Sequence, residues 1–233
     1  MSLQTNTTVY GVDAPDSAGV TKVHTSRGWL RATRVIFATN AYTVGVLPQY
    51  KGKIIPYKGT ASHLVSESER VSPHLSNTYN IHFSPGFDAK VDYLNPRPDG
   101  SVVVGGGQWT YNQDRSAWYN VWDDSTLLPA AKSHFNTVMQ RNFRGWDEGA
   151  VVEEMWTGIQ GLTPDGYPFV GEVPGRKGWW ISAGFNGCGN ALCWLCGKGI
   201  AKMIVKDLPF SHSGVPKLFE PTAERMRLEA PQE

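Results

Sequence analysis

The sequence predicts mixed α/β structure combined with antiparallel β-sheet. Short extended segments over residues 79–105 are separated by turns that contain proline and glycine, and this pattern predicts an antiparallel meander. Residues 179–206 read as a strand, a glycine-rich turn and a helix, which is the order found in α/β units. An apolar stripe at helical spacing predicts one further helix, near residues 124–143.

Composition excludes several classes of protein. The 233 residues include 22 basic and 21 acidic side chains, so a net charge of +1 gives no electrostatic reason to expect nucleic acid or an anionic membrane as a partner. No run of apolar residues is long enough to predict a membrane span. Three cysteines within nine positions, without a signal-peptide pattern, favour a reducing, cytoplasmic setting over a disulfide framework.

The first elements are short strands. Residues 3–12 predict a strand, and Ser26 to Gly28 predict a turn between two further extended segments. The apolar run from Val35 to Ala38 predicts a strand that is buried on both faces. A crossover into a second region is expected after residue 47, because prolines and glycines interrupt the pattern there.

Two helices follow from apolar periodicity. The first is predicted over 124–143, with Asp124 and Ser125 as caps and Pro129 in the first turn. Its stripe consists of Leu128, Ala131, Phe135, Val138 and Met139. The second is predicted over 190–206, with Leu192, Leu195, Cys196, Gly199 and Met203 on one face. Residues 207–233 are rich in proline and charge and predict an irregular tail.

The three cysteines invite a metal interpretation that their context disfavours. Cys188, Cys193 and Cys196 have the spacing of the start of a plant-type iron–sulfur run, but no fourth cysteine exists. The six histidines show no metal-ligand spacing, so no metal site is predicted. The C-x-x-C pair stays open as a redox pair, while the preferred interpretation is that Cys193 and Cys196 pack the helix against the sheet.

The glycine-rich turn "GFNGCG" carries the clearest chemical signal. Glycines 184, 187 and 189 allow sharp turns and the close approach of a ligand. The unpaired N–H groups of the following helix would favour an anion or a polarised carbonyl oxygen. The alternative is a tight strand–helix connection without a ligand.

Four ordered stretches resemble one family of enzymes. They are "RVIFATNAYTVGVLP" (34–48), "IIPYKGT" (54–60), "WTGIQGLTPDGYPFVGEVPG" (156–175) and "GFNGCG" (184–189). Together they resemble the FAD-dependent oxidoreductases of the D-amino acid oxidase, glycine oxidase and sarcosine oxidase type, with a likeness to fungal members.

The resemblance implies a fold, a cofactor and a set of site residues. It implies a partial FAD-binding domain, Rossmann-like and of the glutathione-reductase type, whose C-terminal portions are residues 1–47 and 155–206. This domain would be interleaved with a mixed-sheet substrate domain over 48–154. It implies FAD as cofactor and a small amine or amino acid as substrate, oxidised at a C–N bond with hydride transfer to the flavin. The cofactor-binding residues would be Asn40, Gly184, Phe185, Asn186, Gly187, Cys188, Gly189 and Asn190. The substrate pocket would contain Tyr57, Lys58, Trp156 and Gln160, and no catalytic acid or base is assigned.

Three departures from the family pattern bear on activity. No G-x-G-x-x-G unit is present, so the N-terminal FAD-binding segment is expected to be missing. Cys188 and Asn190 stand where relatives have histidine and methionine, and Gln160 stands where amino acid oxidases often have arginine. A glutamine cannot neutralise a carboxylate, which argues against an amino-acid substrate. The alternative function is a truncated or degenerate module that does not hold flavin alone.

Overall fold

The computed structural model describes residues 2–66, 75–84, 90–146 and 148–228. The chain divides into two compact units, one formed by Met1–Pro56 with Gln160–Glu233 and the other by Tyr57–Ile159. The boundaries of the units fall after residues 56 and 159, compared with the 47 and 154 of the sequence prediction. Within the described ranges, no helix is long and apolar enough to cross a bilayer.

Within the described part of the chain, eleven strands and three α-helices form the two units. The strands are β1 (Val9–Val12), β2 (Thr21–Thr25), β3 (Gly28–Ala32), β4 (Val35–Phe37), β5 (Ile55–Val65), β6 (Tyr79–His82), β7 (Val91–Pro96), β8 (Val102–Gly105), β9 (Val151–Leu162), β10 (Phe169–Glu172) and β11 (Trp179–Ala183). The helices are α1 (Thr43–Val46), α2 (Lys132–Asn142) and α3 (Gly189–Lys206).

The first unit contains two three-stranded sheets. Strands β1, β2 and β3 form an antiparallel meander, which agrees with the predicted turn near Ser26. The second sheet has the order β10-β11-β4, with β11 antiparallel to β10 and parallel to β4. Phe37, Phe169 and Ile181 belong to one of its apolar cores, while Val170 shares a second core with Ile200 of α3. This sheet and helix position the glycine-rich turn between β11 and α3.

Strand β4 is less buried than its sequence predicts. Ile36 is 51% exposed, and Ala38 is exposed as well, so the prediction of a strand buried on both faces is wrong. The reason is its position, because among the described residues β4 pairs with β11 alone. An apolar run cannot reveal whether a neighbouring strand or helix is present to cover it.

The second unit is built on a five-stranded sheet of order β6-β7-β8-β5-β9. The pairs β6–β7, β7–β8 and β5–β8 are antiparallel, as a meander predicts. Leu64, Leu94 and Val104 of this sheet share one core with Phe135 and Met139 of α2. One of the turns predicted within residues 79–105, at Pro85-Gly86, lies outside the described residues.

Helix α2 is shorter than predicted. It begins at Lys132, after a 3-10 turn over Pro129–Ala131, so Asp124 and Ser125 do not cap it. Proline disfavours the helical conformation in the residue before it, and Leu128 is accordingly non-helical at φ −108°, ψ 83°. The predicted apolar stripe is confirmed where the helix exists, since Phe135, Val138 and Met139 are buried.

The tail of the first unit is held by one arginine. Arg225 donates from Nε to Asp165 Oδ2 (2.7 Å) and from Nη2 to Asp165 Oδ1 (3.1 Å). Its terminal nitrogens also donate to three backbone carbonyls, those of Tyr167, Pro168 and Glu220. Its guanidinium lies 4.2 Å from the centre of the Phe169 ring. Burial alone would raise the pKa of Asp165, but the hydrogen bonds and charge of Arg225, with the Tyr167 amide, hold it below its ordinary value.

We expect Arg225→Ala to lower the free energy of unfolding by about 2–3 kcal/mol at pH 7, since the partly buried Asp165 carboxylate loses both guanidinium hydrogen bonds and the Pro168 carbonyl loses its donor. Because the folded-state pKa of Asp165 is lowered, the stabilisation is present above the unfolded pKa of about 4 and is lost as pH falls through the folded value. In urea unfolding curves recorded between pH 7 and pH 3, the difference in stability between the two proteins should therefore shrink in acid, while the part that comes from the backbone carbonyls should remain. Arg227→Ala, an exposed neighbour in the same turn, is the control, and an equal effect of the two variants would contradict the assignment.

Candidate functional site

The turn between β11 and α3 requires left-handed backbone at three positions. Gly184 has φ +78°, Asn186 has φ +51° and Gly187 has φ +79°. Glycine adopts this region without a steric penalty, and asparagine tolerates it better than most residues. The sequence therefore folds locally into a compact loop over residues 184–188, which delivers the chain to the start of α3.

Asn40 holds the first half of this loop. Its Oδ1 accepts hydrogen bonds from the backbone N–H of Gly184 (2.9 Å) and of Phe185 (3.3 Å). Asn40 itself lies just beyond β4 with φ +44°. Gly161 makes room for it, because a Cβ at that position would lie 3.0 Å from Asn40 Oδ1.

Asn186 holds the second half of the loop. Its backbone N–H donates to Gly161 O at 2.9 Å, and its Oδ1 accepts from the backbone N–H of Thr163 at 2.8 Å. Its Nδ2 donates to Gly184 O at 2.7 Å and to Thr163 Oγ1 at 3.0 Å. Both ends of the Asn186 amide are therefore engaged within the protein, and the loop is fixed from two sides.

The start of α3 presents unpaired backbone donors. No side chain caps the helix, whose N-cap residue is Cys188. Within the described part of the chain, the backbone N–H groups of Gly187, Gly189 and Asn190 have no acceptor. The Gly189 and Asn190 groups carry the positive end of the helix dipole, and all three N–H groups favour an acceptor oxygen or a negative charge.

A cavity of about 620 Å³ opens at this point. Six of the predicted site residues line it: Asn40, Gln160, Phe185, Gly187, Gly189 and Asn190. The remainder of the lining is Ile36, Ala38, Ser182, Cys193, Gly197, Ile200 and Ala201. Among the described residues, the lining includes no Asp, Glu, Lys, Arg or His, so the cavity combines apolar walls with neutral hydrogen-bonding groups. A flat, largely apolar ligand with polar edges fits this chemistry.

The other predicted residues lie elsewhere. Gly184 and Asn186 build the loop behind the cavity, and Cys188 is exposed on the loop. Tyr57, Lys58 and Trp156 belong to the second unit, whereas Gln160 belongs to the first. Lys58 is 2% exposed and donates from Nζ to Thr126 Oγ1.

Two aromatic residues complete the predicted pocket set in the second unit. The Tyr57 ring lies edge-on to Trp118 at 5.5 Å, and burial raises the pKa of its phenol above the ordinary value. Trp156 is 38% exposed, and its backbone carbonyl accepts from Thr60 Oγ1.

The cysteine prediction is half wrong. Cys196 is buried against the sheet with Ile200 and Met203, and burial, with a smaller contribution from Cys193, raises the pKa of its thiol. Cys193 is exposed and lines the cavity. Leu195, also predicted to lie on the apolar face, is 66% exposed. The buried stripe follows residues 196, 199, 200 and 203, so Cys193 turns toward the loop, where its Sγ lies near Gly189.

Sequence reasoning missed Gly161 and Thr163 as partners of the loop. Both lie in "GIQGLT", and the only signal was a second glycine just after Gln160. Their contacts with Asn40 and Asn186 join distant parts of the chain, which periodicity does not report.

Comparison with known proteins places this chain in a family. A model of the family "DAO: FAD dependent oxidoreductase" matches residues 1–203. The glycine oxidase of Pseudomonas putida is 26% identical over 165 residues, which cover 71% of this chain and 40% of that protein.

Solved structures share the fold at low identity. Amadoriase I, a fructosyl amine:oxygen oxidoreductase from Aspergillus fumigatus, matches with a TM-score of 0.70 at 16% identity, over 93% of this chain and 49% of that chain. Glycine oxidase from Geobacillus kaustophilus matches with a TM-score of 0.64 at 19% identity, over 93% of this chain and 52% of that chain. The chain thus spans about half the length of the proteins that it matches.

The family match covers all four motifs on which the resemblance rests, and the fold is the mixed α/β and antiparallel architecture of the solved relatives. The chain therefore belongs to the DAO family of FAD-dependent oxidoreductases.

Proposed function

We propose that this chain forms the flavin-facing part of an oxidoreductase that oxidises the C–N bond of a small amine or amino acid. The observation that carries the proposal is the neutral cavity at the loop 184–188, with unpaired backbone donors at the start of α3. When bound, FAD would supply the hydride-accepting chemistry, and the protein would orient and stabilise it.

The residues at the cavity fit the ring system of FAD. Gly187 and Gly189 let a flat ring approach the backbone, and apolar groups such as Ile36 and Ile200 would cover its faces. The N–H groups of Gly187, Gly189 and Asn190 would bond to polar edge atoms. A helix N-terminus also stabilises negative charge, which suits a ring that becomes more electron-rich during the reaction.

The chain offers no comparable fit for the adenosine diphosphate end of FAD. Its sequence lacks the G-x-G-x-x-G turn that binds a pyrophosphate at a helix N-terminus. Strand β4 has an outer edge that no described strand pairs, and Ile36 on this strand is half exposed. We propose that a strand–G-x-G-x-x-G–helix segment, preceding this chain in the parent protein, pairs along this edge and completes the cofactor site.

The substrate class follows from the charge of the cavity. Gln160 lines the cavity. It can bond to a substrate but cannot neutralise a carboxylate, so an amine without a carboxylate suits this unit better than an amino acid. Tyr57, Lys58 and Trp156 are proposed as the substrate-facing residues of the second unit.

The alternative is a module that does not hold flavin by itself. The absent pyrophosphate turn supports it directly. The enzyme and the non-catalytic module are both expected to bind FAD weakly as the isolated chain. Only the enzyme is expected to bind FAD tightly once the upstream segment is present.

The test is a flavin titration of two proteins. One is residues 1–233 alone, and the other is the same chain expressed together with the segment that the upstream coding sequence encodes. We expect a colourless protein in the first case and a yellow protein with stoichiometric FAD in the second, which should then oxidise simple amines faster than amino acids. Tight flavin binding by residues 1–233 alone would contradict the assignment of the missing segment. A colourless joined protein would favour the non-catalytic alternative.

A further inference from the structure

We propose that Asn40 is a positioning residue with two separate tasks: its side-chain oxygen fixes the loop over residues 184–188, and its side-chain NH2 group donates into the cavity. The loop part stands on the structure alone, whereas the cavity part rests on the proposed function.

The orientation of the Asn40 amide follows from its partners. The backbone N–H groups of Gly184 and Phe185 can only donate, so the atom that faces both of them at 2.9 and 3.3 Å must be the oxygen. The Nδ2 atom is then directed away from the loop. Asn40 lines the cavity, and within the described ranges its Nδ2 has no acceptor. The Asn40 NH2 group is therefore a hydrogen-bond donor at the cavity that has no acceptor among the described residues.

The backbone around Asn40 is built to keep this arrangement. Asn40 has φ +44°, a conformation that places its side chain across the end of β4 toward the loop. Gly161 approaches so closely that an added Cβ would lie 3.0 Å from Asn40 Oδ1 and 3.2 Å from the Ala41 nitrogen. Gly161 thus leaves little space for another orientation of the Asn40 amide.

The consequence for the site is geometric. Gly184 and Phe185 are the residues at which the chain leaves β11 and turns toward α3. Fixing their N–H groups sets the direction of the chain that carries the donors of Gly187, Gly189 and Asn190. The loop is therefore formed before any ligand arrives, which removes an ordering cost from binding.

Hydrogen exchange of the backbone amides tests the loop task without any ligand. Asn40→Gly removes the oxygen but tolerates φ +44°, so it separates the hydrogen bonds from backbone strain. We expect the Gly184 and Phe185 amides to exchange at least about tenfold faster in this variant, while amides within β11 are unchanged. Asn40→Asp keeps an acceptor oxygen in place and should retain the protection of the original protein.

The control is Asn190→Ala, an exposed amide at the same cavity that makes no hydrogen bond to the loop, and it should leave both exchange rates unchanged. Unchanged exchange in Asn40→Gly would overturn the loop task. Equally fast exchange in Asn40→Asp and Asn40→Gly would also overturn it, because the oxygen would then not be the cause.

Flavin affinity tests the second task in the protein joined to its upstream segment. Asn40→Asp loses both N–H donors and puts a negative charge in a neutral cavity, so we expect its affinity for FAD to fall at least about tenfold despite an intact loop. Unchanged affinity would overturn the donor assignment. If the parent protein itself fails to bind FAD, the proposed function fails, and the exchange measurement still decides the loop task.

Discussion

The Gly187→Leu variant is expected to lose about a hundredfold in affinity for FAD, measured in the protein joined to its upstream segment. A Cβ at position 187 would lie 3.2 Å from Gln160 Oε1, at the rim of the cavity, and the rest of the leucine would occupy space proposed for the ring. Overpacking of this kind costs about 1–3 kcal/mol, and each 1.4 kcal/mol is a factor of ten in affinity.

Gly175→Leu is the matched control for this variant. Gly175 has φ +71°, close to the +79° of Gly187, so both substitutions impose similar backbone strain. No atom lies within 4 Å of an added Cβ at position 175, which is outside the cavity lining. Equal loss of affinity in the two variants would show that strain, and not the occupied cavity, is responsible.

The second large effect concerns stability, and Gly184→Ala is expected to lower the free energy of unfolding by about 3 kcal/mol. Gly184 has φ +78°, which costs an alanine about 1 kcal/mol or more. The added Cβ would also lie 2.6 Å from Thr163 Cγ2, and relieving that overlap disturbs the hydrogen bonds of Thr163 to Asn186.

Gly166→Ala isolates the contribution of backbone strain. Its φ of +74° is nearly the same, and no atom lies within 4 Å of the Cβ position. Urea unfolding followed by circular dichroism should show a loss of about 1 kcal/mol for this variant and about three times as much for Gly184→Ala. Equal losses would contradict the close packing of the loop against Thr163.

The sequence predicts those parts of the site whose causes are local. The helix α3 and the turn before it were predictable because glycines at 184, 187 and 189 and an apolar stripe after them occur in one continuous segment. The family motifs added Asn40 as a site residue, although its hydrogen bond to Gly184 spans 144 positions. No periodicity contains that contact.

The errors share a physical origin in tertiary context. Ile36 lies in an apolar run that is typical of a buried strand, but its exposure depends on which strands pair with β4. Asp124 and Ser125 have the chemistry of helix caps, yet the proline at 129 delays the helix to Lys132. Cys193 is apolar enough for the core, and only the rotation of α3 against the sheet decides that Cys196 enters it instead.

A crystal structure of the protein joined to its upstream segment, with FAD bound, would test directly whether the loop 184–188 and the start of α3 face the flavin. We expect the polar edge of the flavin ring within hydrogen-bonding distance of the backbone N–H groups between Gly187 and Asn190, with the Asn40 oxygen still on Gly184 and Phe185. A flavin ring bound away from these groups, or a loop that has released Asn40 to accept it, would contradict the account.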